Sequence, residues 1–169
     1  MLSIREIIPS DIPLLADYWL NADPAFMRGM GVDLSKMPSR DEWENMLAEQ
    51  INSDYPDKKA YCIIWLNNGV PCGHSNINKI VFGDEASMHL HLWKNDTRNK
   101  GLGTEFVKLS IPLFFDKYRL KKLYSEPYAL NPAPHRVLEK AGFIFVKEYT
   151  CVPGWINFEQ TVKRWEIFR

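Results

Sequence analysis

The stretch of sequence that decides the fold is Trp93–Thr104, which reads WKNDTRNKGLGT. A strand pattern over residues 87–93 runs into a short turn here, and a long amphipathic helix pattern begins at Gly101. Glycine lets a backbone turn tightly and approach a ligand, and the first turn of a helix carries unpaired N–H groups at the positive end of its dipole. With Arg98 and Lys100 beside them, these groups predict a site for a phosphate or pyrophosphate. The alternative is a helix start flanked by two solvated cations.

This glycine pattern differs from two common phosphate-binding loops. It lacks the GxxxxGK[ST] sequence of the Walker loop, and Phe106 stands where the third glycine of GxGxxG would be. The stretch therefore indicates neither a Walker nucleotide site nor a dinucleotide fingerprint.

Outward from this stretch, turn residues and hydrophobic periods divide the chain into strands and helices. An apolar loop is predicted over 21–38, and Asn67–Gly69 is predicted as a hairpin turn. The order β-α-α-β-β-β-α-β-α-β-β predicts an α/β fold, a mixed sheet with helices on both faces, in one domain over residues 1–169. Strands are predicted at 2–8, 60–66, 70–80, 87–93, 123–126, 143–150 and 159–168, and helices at 12–20, 39–51, 101–118 and 132–141.

Composition and charge narrow the classes of function. The chain has 169 residues, 46% hydrophobic and 25% charged, which is typical of a globular domain and excludes a disordered chain. Its 21 basic and 21 acidic residues give no net charge, which argues against nonspecific nucleic-acid binding. Cys62, Cys72 and Cys151 fit neither a disulfide framework nor a paired-cysteine metal site. The charged N-terminus and the lack of a long apolar run predict a cytoplasmic protein without a membrane segment.

Two blocks of sequence together resemble the GCN5-related N-acetyltransferase (GNAT) superfamily. The first is Arg98-x-x-Gly101-x-Gly103 after a strand. The second is residues 131–143, NPAPHRVLEKAGF, which is similar to a helix and following strand of the family. The resemblance implies a splayed, GNAT-like mixed sheet and acetyl-CoA as co-substrate. Three shorter matches are closest to the branch of aminoglycoside 6′-N-acetyltransferases and siderophore-biosynthesis acyltransferases: KGLGT at 100–104, EP at 126–127 and EKAGF at 139–143.

The resemblance also implies which residues bind coenzyme A. Backbone amides of the glycine loop would hold the pyrophosphate, and one amide at the end of the preceding strand would polarise the thioester carbonyl. Asn131 would hydrogen-bond the cofactor, cap the helix that follows, or do both. The predicted cofactor-binding residues are Leu92, Trp93, Arg98, Asn99, Lys100, Gly101, Leu102, Gly103, Thr104 and Asn131.

His89 and Glu126 are the predicted catalytic residues. His89 lies nine residues before Arg98, where the resembling branch has an acidic base or a histidine. An imidazole with a pKa of about 6.5 suits proton removal from an amine, and predicts turnover that rises through neutral pH. By resemblance, Glu126 would bind a cationic acceptor or assist His89. The alternatives are a buried structural histidine and a rim carboxylate paired with a surface lysine.

Leu138 departs from the family pattern. Many members have a tyrosine immediately before the Glu-Lys pair of the second block, acting as the acid for the leaving thiolate, and leucine cannot donate a proton. Tyr128 and Tyr149 are the candidate replacements by proximity in sequence. The departure leaves open a non-catalytic acyl-CoA-binding module.

The predicted acceptor is an amine or hydroxylamine of a small molecule, which attacks acetyl-CoA directly. A protein N-terminus or side chain is the alternative. Residues 26–30 and 151–158 would form the acceptor walls, with Asp23 and Asp33 as further carboxylates. No metal is predicted, because His89 and His91 lack a third ligand at suitable spacing. The partner prediction excludes nucleic acid and membrane, and it leaves a homodimer open.

Overall fold

A seven-stranded sheet with helices packed against it is formed by residues 1–93 and 101–169, the parts of the chain that this computed structural model describes. The strands are β1 Leu2–Glu6, β2 Ala60–Asn67, β3 Val70–Asn78, β4 Glu85–Leu92, β5 Lys122–Ser125, β6 Ile144–Cys151 and β7 Gln160–Phe168. The helices are α1 Ile12–Asn21, α2 Pro24–Gly29, α3 Arg40–Asn52, α4 Leu102–Tyr118 and α5 Pro132–Lys140.

The strand order is β1-β2-β3-β4-β5-β7-β6. Neighbouring strands run antiparallel except β4 and β5, which are parallel. A parallel pair needs a crossover connection, and α4 lies on that crossover. The sheet is therefore mixed, as predicted.

The parallel pair separates after a short contact. Its register covers only three residue pairs, from Glu85–Lys122 to Ser87–Tyr124. The hydroxyl of Ser125 then donates to the carbonyl of Met88 at 2.8 Å. From there β4 continues to Leu92 in register with β3, while β5 has ended. The sheet is thus splayed between β4 and β5, which confirms the expected GNAT-like form.

Helices cover both faces, as predicted, but unequally. On one face, α4 and α5 pack Phe106, Phe114 and Leu138 against the middle of the sheet. On the other, α1 and α3 pack Leu15 and Leu47 against β2. Near the splay, the side chains on this second face are polar or charged: Ser87 and His89 of β4, Tyr124 of β5, Arg164 and Glu166 of β7, and Glu126 directly after β5. This polar area of the sheet adjoins the splay.

The segment predicted as a loop over 21–38 contains a helix. The carboxylate of Asp23 accepts a hydrogen bond from the N–H of Phe26 at 3.0 Å, and Pro24 occupies the first helical turn of α2. Proline is favoured there because its missing N–H would be unpaired in any case. After α2, the N–H of Asp33 donates to the carbonyl of Ile156 at 2.8 Å. The residues just after α2 are therefore in contact with the second predicted acceptor wall, residues 151–158.

Candidate active site

His89 lies in the middle of β4, on the polar face beside the splay. Its ring Nε2 is 3.1 Å from Oδ1 of Asn78 and 3.5 Å from Oγ of Ser87. The buried hydroxyl of Ser75 donates to the carbonyl of His89 at 2.7 Å. The ladder between β3 and β4 has no register shift from Gly73 to Asn78, so His89 and His91 share a face, as expected.

The pKa of His89 lies below the value expected from the sequence. Burial lowers the pKa of His89 from 6.5 to about 4, the charge of Lys79 lowers this pKa further, and the charge of Glu126 partly raises it. The ring is therefore neutral at pH 7. With this lowered pKa, we expect the acid limb of the turnover profile to lie below neutral pH rather than to run through it.

Alternate residues of β4 turn their backbone groups toward the opening. The N–H of Trp93 donates to the carbonyl of Cys72 at 3.0 Å, which places Trp93 in a hydrogen-bonded pair with β3. In an antiparallel ladder such pairs alternate, so the backbone groups of Leu90 and Leu92 point to the other side, toward the end of β5. The indole N–H of Trp93 donates to Nδ1 of His74 at 2.7 Å. The expected backbone contact from Trp93 is thus corrected, since both of its N–H groups are used inside the protein.

The start of α4 presents backbone donors without a capping side chain. Gly101 is the N-cap and adopts a left-handed conformation, with φ of 76°. The N–H of Thr104 donates back to the carbonyl of Gly101 at 3.1 Å, while Leu102 and Gly103 occupy the first two positions of the helix. A β-carbon on Gly103 would lie 3.6 Å from both Leu92 and Val137, so this glycine allows close packing between α4, β4 and α5. The expected Arg98, Asn99 and Lys100 lie outside the described residues.

Glu126 is not available as an isolated carboxylate. It follows β5, its side chain is 8% exposed, and Nη1 of Arg164 donates to it at 2.9 Å. The hydroxyl of Tyr149 also donates to the same carboxylate oxygen. Arg164 contacts Glu166 at 2.7 Å and stacks on the ring of Tyr124 at 3.9 Å. The charge of Glu126 is thus matched by an arginine, which sequence reasoning missed, rather than by a surface lysine or by His89.

Of the other residues that the sequence analysis singled out, some lie near the site and one lies in the core. Asn131 is the N-cap of α5, yet its side chain makes no capping hydrogen bond. Leu138 is fully buried in the core. Burial and the hydrogen bond to Glu126 raise the pKa of Tyr149, which makes it a poorer acid than an ordinary tyrosine. Tyr128 packs edge-on against Phe158 at 5.6 Å.

A cluster of aromatic and histidine rings missed by sequence reasoning lies next to His89. The rings of His74 and His91 stack at 4.7 Å, and the hydroxyl of Tyr18 is 3.1 Å from Nδ1 of His91. Burial lowers the pKa of His74 to about 3, so this ring is neutral. Trp19 contacts His91 edge-on at 5.0 Å. The pairing of His74 with His91 depends on strand register, which no local signal in the sequence gives.

A cavity of about 410 Å³ opens beside this cluster. It mixes aromatic rings with two carboxylates, which suits a polar organic molecule. Its lining consists of Leu14, Asp17, Tyr18, Asn21, Ala22, Asp23, Phe26 and Trp93. Asp17 is paired with Arg40 at 2.6 Å, whereas the carboxylate of Asp23 caps α2.

Within residues 1–93 and 101–169, no three His, Cys, Asp or Glu side chains lie close enough together to hold a metal ion. Across the same two ranges, no helix is both long enough and apolar enough to cross a membrane.

Comparison with known families assigns the class of protein. A family model described as the acetyltransferase (GNAT) domain matches residues 1–144. Because this match covers most of the chain, the protein belongs to the GNAT family and is an acetyltransferase. Acetyl-CoA is the co-substrate that GNAT enzymes use. No curated protein matches the chain.

Several solved structures share the fold over nearly the whole chain. A spermidine N-acetyltransferase from Vibrio cholerae, in complex with CoA and spermine, is 19% identical with a TM-score of 0.79, covering 99% of this chain and 95% of that one. The aminoglycoside acetyltransferase AAC(6')-Ib, with coenzyme A and kanamycin, is 18% identical with a TM-score of 0.76, covering 100% and 95%. RimL, a ribosomal L7/L12 alpha-N-protein acetyltransferase with coenzyme A, is 13% identical with a TM-score of 0.79, covering 99% and 93%.

Proposed function

We propose that the protein is one GNAT domain over residues 1–169 that transfers the acetyl group of acetyl-CoA to an amine or hydroxylamine of a small molecule. The observation that carries this proposal is the opening between β4 and β5, with His89 beside it on the polar face of the sheet. The opening provides strand backbone for the cofactor, and the histidine provides a neutral base at the same place.

The described residues fit coenzyme A along β4 and α4. The backbone groups of Leu90 face the opening and would bind the pantetheine arm as an added strand would, with one N–H of β4 polarising the thioester carbonyl. The first N–H groups of α4, at Leu102 and Gly103, would hold the pyrophosphate. The side-chain amide of Asn131 is not used as a helix cap, which leaves it for the cofactor.

His89 would accept the proton of the nucleophile. The acceptor nitrogen forms a bond to the acetyl carbon, the carbon–sulfur bond breaks, and the nitrogen gives its proton to the imidazole. Because the pKa of His89 is lowered to about 4, the ring is ready to accept at neutral pH but does so only as positive charge develops on the nitrogen. Coenzyme A leaves as a thiolate, which is an adequate leaving group near neutral pH and takes its proton from solvent, so the buried Leu138 does not prevent the reaction.

The cavity of about 410 Å³ supports a small acceptor. Ligand pockets for small molecules usually occupy 300–1,000 Å³ and combine aromatic walls with a few polar groups. Tyr18 and Trp93, which line the cavity, both contact histidines of β3 or β4, so the cavity adjoins the strand that carries His89. Asp23 would attract a cationic amine. Glu126 has a smaller role here than the sequence suggested, because Arg164 already neutralises it.

An acceptor screen tests the proposal. Purified protein and acetyl-CoA are incubated with spermine, kanamycin, a hydroxylamine, free amino acids and a peptide with a free N-terminus. Free thiol is measured, and product mass is read for each reaction. We expect thiol release with at least one small amine, a matching gain of one acetyl group, and a large loss of turnover in His89→Gln. Acetylation of the peptide alone would replace the small acceptor with a protein, and coenzyme A binding without any transfer would favour the non-catalytic module.

A further inference from the structure

We propose that Asn78 is a positioning residue that fixes the tautomer of His89, so that Nε2 carries the hydrogen and Nδ1 is the proton acceptor. This inference rests on the proposed function, because it assigns the atom that accepts the proton. It adds a residue that neither the sequence motifs nor the glycine loop indicated.

The register of two strands brings the two side chains together. Asn78 is the last residue of β3 and pairs with Ser87 of β4. His89 lies two residues further along β4 and therefore on the same face as Ser87. As a result, Oδ1 of Asn78 lies 3.1 Å from Nε2 of His89. The hydroxyl oxygen of Ser87 is more distant, at 3.5 Å from the same nitrogen. The hydrogen bond from Ser75 to the carbonyl of His89 holds the backbone beneath the ring.

The chemistry of the amide oxygen decides the tautomer. A carbonyl oxygen can only accept a hydrogen bond, so the nitrogen that faces it must donate. A neutral imidazole carries one hydrogen on its two nitrogens. When that hydrogen is on Nε2, Nδ1 has the free lone pair and can accept a proton. Because Asn78 is uncharged, it orients the ring without adding the negative charge that would hold a proton on it. Burial keeps this ring neutral in the resting protein.

Charged groups around His89 already influence its pKa, and a substitution at Asn78 would act in addition to them. Lys79, next in the chain after β3, opposes a positive charge on the ring, and Glu126, after β5, favours it. His74 on β3 also interacts with His89 and is neutral. An aspartate at position 78 would add a carboxylate directly against Nε2–H and raise the pKa of His89. A leucine of similar size would remove the acceptor.

The experiment combines ¹⁵N NMR of the histidine rings at neutral pH with steady-state kinetics, for the wild type, Asn78→Asp and Asn78→Leu. The control is Asn52→Leu, at the exposed end of α3. We expect the Nε2–H form of His89 in the wild type and in Asn78→Asp. In Asn78→Leu we expect a mixture of tautomers and about a tenfold lower kcat with little change in KM for acetyl-CoA. In Asn78→Asp, kcat should be largely rescued, and the acid limb of the pH profile should move to higher pH.

Two results would overturn the inference. One is the Nδ1–H form of His89 in the folded wild type, and the other is an unchanged ring tautomer in folded Asn78→Leu. The NMR measurement does not depend on turnover, so a protein that fails every acceptor in the screen overturns the proposed function while the tautomer is still decided.

Discussion

The hydroxyl of Ser125 donates a hydrogen bond to the carbonyl of Met88 at 2.8 Å, one residue beyond the last ladder pair of β4 and β5. Ser125 is the last residue of β5, and both residues are buried. The bond therefore ties the two strands together at the point where they begin to diverge. It sets where the opening starts and holds the part of β4 that carries His89.

Removing this hydroxyl should loosen the splay. In Ser125→Ala the buried carbonyl of Met88 loses its partner, so we expect the free energy of unfolding to fall by about 1–2 kcal/mol. Urea denaturation measures the change. Ser3→Ala, which removes an exposed hydroxyl on β1, is the matched control and should change stability by less than about 0.5 kcal/mol. Equal stability of both variants would mean that the Ser125 bond does not support the strand junction.

Arg164 should matter for folding through its pair with Glu126. Removing the arginine leaves a carboxylate that is 8% exposed without its cation, so Arg164→Ala should lose about 2–3 kcal/mol of stability. A double-mutant cycle with Glu126→Gln isolates the pair. We expect the double variant to lose less than the sum of the two single losses. Simple additivity would show that the two side chains do not interact.

The two glycines at the start of α4 should respond differently to alanine. Gly101 has φ of 76°, so Gly101→Ala strains the backbone, and we expect a loss of about 1 kcal/mol together with weaker coenzyme A binding. Gly103→Ala adds a methyl group at ordinary contact distance, 3.6 Å from Leu92 and Val137, and should have a smaller effect on stability. Thermal unfolding with and without coenzyme A measures both properties. The reverse order of effects would contradict the assigned helix start.

Asp23 allows the acceptor cavity to be tested without breaking α2. Asparagine caps helices about as well as aspartate, so Asp23→Asn should leave stability unchanged within about 0.5 kcal/mol. The loss of one exposed negative charge should raise KM for a cationic acceptor about threefold and leave KM for acetyl-CoA unchanged. Asp41→Asn, in the first turn of α3, is the charge-matched control. A similar effect from both variants would point to net charge rather than to the cavity.

Stability should fall on mild acidification because the pKa values of His74 and His89 are lowered in the folded protein. Burial lowers the folded-state pKa of His89 to about 4 and of His74 to about 3. Below the unfolded value of about 6.5, the unfolded chain takes up protons that the folded protein does not. Each histidine therefore removes up to about 1.4 kcal/mol of stability per pH unit, from about pH 6.5 down to its folded pKa. Urea denaturation at several pH values should show a flatter slope in His74→Gln, and an unchanged slope would contradict the lowered pKa.

The sequence predicted the elements whose periodicity is local. The apolar positions of α4, such as Val107, Ile111 and Phe114, recur at helical spacing and are buried, and the predicted helix 101–118 differs from the observed one by a single residue. The helix α2 lies inside the segment 21–38 that the sequence predicts as a loop, because Pro24, Gly29 and Gly31 are residue types typical of loops. An Asp-Pro pair is also a good helix start, and that signal was present in the sequence.

The parts of the site that the sequence did not give depend on tertiary structure. The register of β3 and β4 determines whether the Trp93 amide points toward β3 or toward the opening. That register cannot be deduced from the sequence of either strand alone. The lowered pKa of His89 comes from burial, and the pairing of Glu126 comes from Arg164, thirty-eight residues later. Motif spacing placed His89 and Glu126 near the opening but could not show what neighbouring strands do to their charge.

Binding of coenzyme A in the opening between β4 and β5 can be measured residue by residue. The measurement is backbone amide hydrogen exchange, followed by NMR with and without saturating coenzyme A. We expect exchange to slow at Leu90 on the edge of β4 and at Leu102 and Gly103 at the start of α4, while strand β1 at the edge of the sheet is unaffected. Absence of binding at millimolar coenzyme A, or binding that protects other amides and leaves these three unchanged, would contradict it.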